Sequence, residues 1–125
     1  MLKILCIGSG GFIGASCRYF VSAFIQRIPG FSCLSCGTFV VNMLGCFLIG
    51  FLSGLAESRQ IFSPEFRLFL FIGFLGSFTT FSTFNYEVFL FVQGGQFFTG
   101  ALVISLQVFV GLGLVWAGNL LACLI

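Results

Sequence analysis

Between Gly73 and Glu87 the chain reads Gly73-Phe74-Leu75-Gly76-Ser77-Phe78-Thr79-Thr80-Phe81-Ser82-Thr83-Phe84-Asn85-Tyr86-Glu87, with six hydroxyl side chains, two glycines, an Asn and a Glu set among aromatics. Hydroxyls and amides donate hydrogen bonds without carrying charge, and the ring edges of Phe carry the positive part of the aromatic quadrupole. A buried row of such rings, flanked by hydroxyl donors, can hold a small, partly dehydrated anion with no fixed cation beside it. Phe78, Phe81 and Phe84, spaced i, i+3 and i+6, are expected along one helical stripe interleaved with Thr79, Thr80, Ser82 and Thr83. With 20 Phe in the chain, the competing reading is that these rings face lipid or core.

The same stretch is a weak helix. Ser and Thr bond helix carbonyls locally and Gly loosens the turn, so a break is expected between Gly76 and Thr80. A broken helix at membrane depth offers bare backbone carbonyls and a positive helix end, the materials of ion sites. The alternative is an unbroken helix whose Ser and Thr pack against neighbours.

Other polar side chains stand alone in apolar surroundings. Asn42, in Gly37-Thr38-Phe39-Val40-Val41-Asn42, can use its amide for an anion or for a helix–helix bond, and Thr38 lies one turn before it on the same face. Arg18 falls deep enough in the first apolar run to face a wet cavity as an anion-attracting charge, or to snorkel to an interface. Glu87 either serves a pathway or reaches water near the end of its span, and Gln107 is a candidate lining residue in the last span.

Much chemistry is excluded. The chain has no His and no Asp, and its three Glu (57, 65 and 87) lie far apart in sequence, which argues against carboxylate-dyad and most hydrolytic chemistry. Eight scattered charges make no basic stripe for nucleic acid. Of the six Cys, four (6, 17, 46 and 123) sit in apolar runs as small hydrophobes. Cys33 and Cys36 form a C-x-x-C that, as a metal site, needs a second ligand pair the sequence lacks, and they read as incidental loop cysteines, with redox or metal binding as the alternative. Gly8 to Gly14 departs from the spacing of a dinucleotide fingerprint. Gly10 with Gly14, and Gly50 with Gly54 extended by Cys46, read as close helix packing.

The elements that must position these residues follow from composition. The 125 residues are 59% hydrophobic and 6% charged, with mean hydropathy +1.20, whereas a soluble domain carries about 25% charged residues. Four apolar runs, about 4–25, 35–56, 65–92 and 97–123, are each long enough to span a bilayer, which takes about 20 residues. They define an all-α integral membrane protein of a single four-helix domain over residues 1–125. Arg27 and Pro29-Gly30 close the first run, Glu57 to Gln60 the second, and Gln93-Gly94-Gly95-Gln96 the third; Pro64 and Glu65 suit the start of the third helix. The first run is expected to stay in the membrane and not to be cleaved as a signal peptide. Four spans put both termini on one side. Lys3, Arg59 and Arg67 then oppose Arg27 and, depending on its depth, Arg18, a weak bias that allows insertion both ways.

The pairing of Gly37-Thr38-Phe39-Val40-Val41-Asn42 with the Gly73 to Thr83 stretch, its Thr79-Thr80-Phe81-Ser82-Thr83-Phe84 run and the following Glu87 resembles the Fluc (CrcB) family of small fluoride channels, over the whole chain. The resemblance implies a dual-topology antiparallel homodimer with two fluoride pathways lined by both subunits, exporting toxic fluoride from the cytoplasm by passive conduction. It implies a third helix broken around a structural, non-transported Na⁺ held by backbone carbonyls, at positions matching Gly76 and Thr79. It maps the pore asparagine onto Asn42, the aromatic box onto Phe81 and Phe84, the first-helix arginine onto Arg18, and polar positions beside the box onto Ser82, Thr83 and Glu87. The fourth span departs from the family pattern: lining positions that carry Ser or Tyr in some members fall on Val103, Gln107 and Gly111.

The runner-up reading, a small dual-topology multidrug exporter, is expected to carry a membrane-embedded Glu in the first span, where this chain has Arg18. A structural subunit without transport leaves the Thr-rich third span unexplained. The expected setting is the bacterial cytoplasmic (inner) membrane, with fluoride, lipid and a second copy of the chain as partners and no enzymatic activity.

Overall fold

The computed structural model describes residues 1–30, 35–59 and 61–125. Helix α1 spans Leu2–Gln26 and α2 spans Cys36–Arg59. The third span is composite: α3 (Pro64–Arg67), a π-helical stretch (Leu68–Leu75), α4 (Gly76–Phe78), two extended residues, and α5 (Phe81–Gln93). Helix α6 spans Phe97–Leu124. Counting the third span as one, four helical segments among the described residues, of 25, 24, 30 and 28 residues, are long and apolar enough to cross a membrane.

Local chemistry sets the ends. Ser63 caps α3, its hydroxyl accepting from the Phe66 N–H at 3.2 Å. Pro64 at the first helical position loses no hydrogen bond there, and Glu65 sits in the first turn against the positive helix end. Gly95, at φ +75°, makes the left-handed turn between α5 and α6. Cys36 opens α2 and is disulfide-bonded, so it is not the incidental loop cysteine expected; Cys33 lies outside the described residues. Gln60 lies outside them too, and α2 runs through the polar residues Glu57 to Arg59 before it. The guanidinium of Arg59 donates to the Ile125 carbonyl, tying the end of α2 to the end of α6.

Two helix pairs make the body: α2 on α6, and α1 on the π-helical stretch. Both depend on small residues. A Cβ on Gly10 would stand 3.1 Å from Gly73 Cα and 3.0 Å from Phe74 N, and one on Gly73 would lie 2.6 Å from the Ile7 carbonyl oxygen. On the other side, a Cβ on Gly54 would stand 2.7 Å from the Ala122 methyl, and Gly50 and Gly118 lie equally close to the facing backbones of α6 and α2. Without a hydrophobic drive between helices in lipid, such close backbone approach is the main source of packing energy. Ser77 adds a polar tie, its hydroxyl lying 2.9 Å from the Gly11 carbonyl of α1 and 2.7 Å from the Gly73 carbonyl of its own span.

The centre of the molecule is α2. Its most apolar stretch is 39% buried, against 11% for α1 and for α6, and Val41 is fully enclosed. The outer faces carry large exposed apolar side chains such as Phe12, Phe98 and Phe109. Lipid tails solvate such faces, whereas water would not tolerate them over this extent.

Candidate functional site

The site is built around the interruption of the third span. Thr79 (φ −80°, ψ 156°) and Thr80 (φ −147°, ψ 117°) are extended. The expected break therefore falls on the last two residues of the Gly76–Thr80 run, while Gly76 to Phe78 remain helical. Thr80 restarts the helix as the N-cap of α5: its hydroxyl accepts from the Thr83 N–H at 3.4 Å and donates to Thr83 Oγ1 at 3.0 Å. The sequence signal for this was a Thr followed three residues later by another at a helix start.

An extended residue at membrane depth needs partners for both its backbone polar groups, and Asn42 of α2 supplies them. The Thr80 N–H donates to Asn42 Oδ1 at 2.9 Å, and Asn42 Nδ2 donates to the Thr80 carbonyl at 3.2 Å. Because the backbone N–H can only donate and the carbonyl only accept, the two bonds also fix which way the amide faces. Of the two uses expected for Asn42, the bond across helices is the one observed, and one of its two N–H groups remains beyond it.

These bonds change the status of two carbonyls. In an unbroken helix the Gly76 carbonyl would accept from the Thr80 N–H, and the Thr79 carbonyl from the Thr83 N–H. Here the first donor is turned to Asn42 and the second to the Thr80 hydroxyl. Thr79 is otherwise anchored backwards, its N–H and Oγ1 both donating to the Leu75 carbonyl, at 3.1 and 2.9 Å.

Beside the break lies an open groove of about 410 Å³, whose walls include Asn42, Thr79, Thr80, Phe81, Phe84 and Gln107. The rings of Phe81 and Phe84 are 6.2 Å apart and inclined by 43°. Phe84 is buried and Phe81 is 78% exposed. Phe78 does not continue their stripe, contrary to the i, i+3, i+6 expectation. The extended pair separates it from α5, and it is buried against Phe74, stacked at 5.8 Å. Gln107 reaches the groove with its buried Oε1 unpaired among the described residues. Cys46, expected as a packing residue, also lines it. Val103 instead borders a separate small cavity with Cys36 and Phe39, and Gly111 is buried against Cys46.

Farther along α5, Glu87 is buried and turned towards α2, where Thr38 Oγ1 donates to its Oε1 at 2.5 Å. Its Oε2 is buried with no partner among the described residues. Thr38 and Asn42, one turn apart on α2, thus bind two successive parts of the third span. Ser82 and Thr83 lie on an exposed face of α5 together with Asn85 and Tyr86. Arg18 is half-buried in α1 with no hydrogen-bond or ion-pair partner among the described residues, and it does not line the groove.

This arrangement can do little covalent chemistry. It can offer amide and hydroxyl donors, ring edges and unclaimed carbonyls to a small ion. The family model described as "CrcB-like protein, Camphor Resistance (CrcB)" matches residues 5–119. A protein of Methanococcus maripaludis called "Fluoride-specific ion channel FluC" is 47% identical over 122 residues, covering 96% of this chain and 95% of its own length. Proteins of the same name from Nitratidesulfovibrio vulgaris (42% over 119 residues, 94% of each chain) and Oceanobacillus iheyensis (39% over 122 residues, 98% of this chain and 92% of its own) align as fully. With a match running from the first helix almost to the end of the last, the chain belongs to the CrcB-like family of membrane proteins.

Proposed function

We propose that the protein is a fluoride-selective ion channel that lets fluoride leave the cytoplasm passively, working as an antiparallel homodimer in a bacterial cytoplasmic membrane. The observation that carries this reading is the groove at the interrupted third span, where neutral donors and aromatic edges converge and no fixed cation stands among the described residues. Full-length relatives that bear the name fluoride-specific ion channel support it.

A small, strongly hydrated anion loses much of its solvation on entering a protein, and short-range donors must replace it. The remaining Asn42 N–H, the hydroxyls of Ser82 and Thr83, and the edges of Phe81 and Phe84 supply such contacts in this proposal, while Thr38, its one O–H given to Glu87, sets the carboxylate beside them. Gln107 adds an amide from α6. Arg18 attracts anions at a vestibule, and Glu87, held by Thr38, orients the far end of the pathway.

Dimerisation is supported by what one chain leaves open: Ser82, Thr83 and Asn85 are exposed at membrane depth, where a second protein surface suits them better than hydrocarbon. The Gly76 and Thr79 carbonyls, deprived of their helical donors, fit a hard cation that takes oxygen ligands. Two chains would bring four such carbonyls to one Na⁺, which stiffens the dimer centre and adds positive potential for an anion.

Phe81→Ile and Phe84→Ile, each reconstituted in liposomes, test the pathway. Each should cut fluoride efflux by about tenfold or more while the dimer survives, since both remove ring edges and keep apolar bulk. Normal flux in both would remove the aromatic pair from the pathway.

A further inference from the structure

Helix α2 meets the interrupted stretch a second time at Gly45, three residues after Asn42 and therefore on the same face. Gly45 is buried. A Cβ built there would collide with the Cγ2 methyl of Thr79, whereas the next atoms, Thr79 Cβ and Phe78 Cδ1, stand at ordinary contact distances of 3.6 and 3.7 Å. The conflict is thus with one methyl group, on one of the two extended residues.

That methyl is held in place by the rest of its own side chain. The other branch of the Thr79 side chain, Oγ1, donates to the Leu75 carbonyl at 2.9 Å, and a β-branched side chain has few χ1 choices. Turning the methyl away would break this bond, so a Cβ at position 45 is relieved by shifting the backbone of α2 against that of Thr79. Glycine also weakens a helix interior relative to alanine, and its place in α2 calls for a compensating contact.

We propose that Gly45 is a positioning residue for the break: its bare backbone is the socket for the Thr79 methyl, and this contact, together with the Asn42 bonds to Thr80, sets the direction of the Thr79 carbonyl. The inference rests on reading the break as part of the fluoride pathway. α2 then acts as a template that holds one extended residue by shape and the next by hydrogen bonds.

The test is a rescue. Gly45→Ala should lower fluoride efflux from liposomes by about tenfold or more, the scale on which small displacements of positioned groups act. Adding Thr79→Ser deletes the methyl but keeps the hydroxyl, and should return efflux to within about threefold of Thr79→Ser alone, as coupling between contacting residues requires. Gly45→Ala with Thr79→Val keeps a methyl in the socket and should remain defective. The same variants are compared by thermal unfolding in detergent without fluoride, where Thr79→Ser should also recover the midpoint lost in Gly45→Ala. If Gly45→Ala does not fold, a folded and conducting Gly45→Ala/Thr79→Ser protein supports the socket. A double variant as defective as Gly45→Ala in efflux and midpoint, or one that does not fold, overturns it. If the wild-type protein releases no fluoride, the functional reading falls, and the unfolding midpoints still decide whether Gly45 and Thr79 are coupled.

Discussion

Asn42 performs at residue scale what neither a hydroxyl nor a carboxylate can: it offers a donor and an acceptor side by side, matched to the N–H and carbonyl of a single extended residue. Asn42→Ala leaves the Thr80 N–H unpaired where water is scarce, at about 1–3 kcal/mol, while the Thr80 carbonyl keeps the first intrahelical bond of α5. A lower midpoint of thermal unfolding in detergent and a loss of fluoride efflux are expected together. An unchanged midpoint would show that the break does not depend on this clamp. The type of Asn42 and its isolation in an apolar span were legible in the sequence, but its partner was not. Thr80 lies 38 residues away, and no spacing rule says which backbone comes within reach. The bond between Thr38 and Glu87 was hidden for the same reason: each residue was visible, their meeting was not.

At the scale of elements the third span decides the fold's character. Its weakness showed in the Gly, Ser and Thr content, yet the extended pair came at the end of the weak stretch because Thr80 caps a new helix and Asn42 takes its N–H. The π-helical turn from Leu68 to Leu75 left no sequence mark, since Leu-Phe-Leu-Phe-Ile-Gly-Phe-Leu is apolar at any helical period; the Gly76 N–H reaching back to the Phe71 carbonyl reveals it. The Phe78–Phe81–Phe84 stripe failed because it assumed one helix across the break. The glycine spacings, by contrast, were read as packing and do pack, since small residues at four-residue intervals have one helical face whatever they meet. If the freed carbonyls of Gly76 and Thr79 bind Na⁺ between two chains, replacing Na⁺ with a bulky organic cation during purification should shift the dimer towards monomer in size-exclusion chromatography. A dimer equally stable in both, with equal activity, would argue against carbonyl ligation there.

For the whole molecule, a thin core around α2 and broad apolar outer faces mean that lipid, not water, is the solvent that completes the fold. Composition alone made that plain, because 6% charged residues cannot cover a water-facing surface. The five basic residues split weakly between the two ends of the bundle. Reporter fusions at the C-terminus should therefore find it on both sides of the membrane, and added Lys at one end should lock a single orientation. A single orientation in the unaltered chain would contradict the antiparallel dimer. Purified protein in liposomes, with fluoride and chloride electrodes run in parallel, puts the channel itself to the test. Rapid release of fluoride without chloride is the predicted result. Release of neither ion, from protein folded and dimeric in Na⁺, would contradict it.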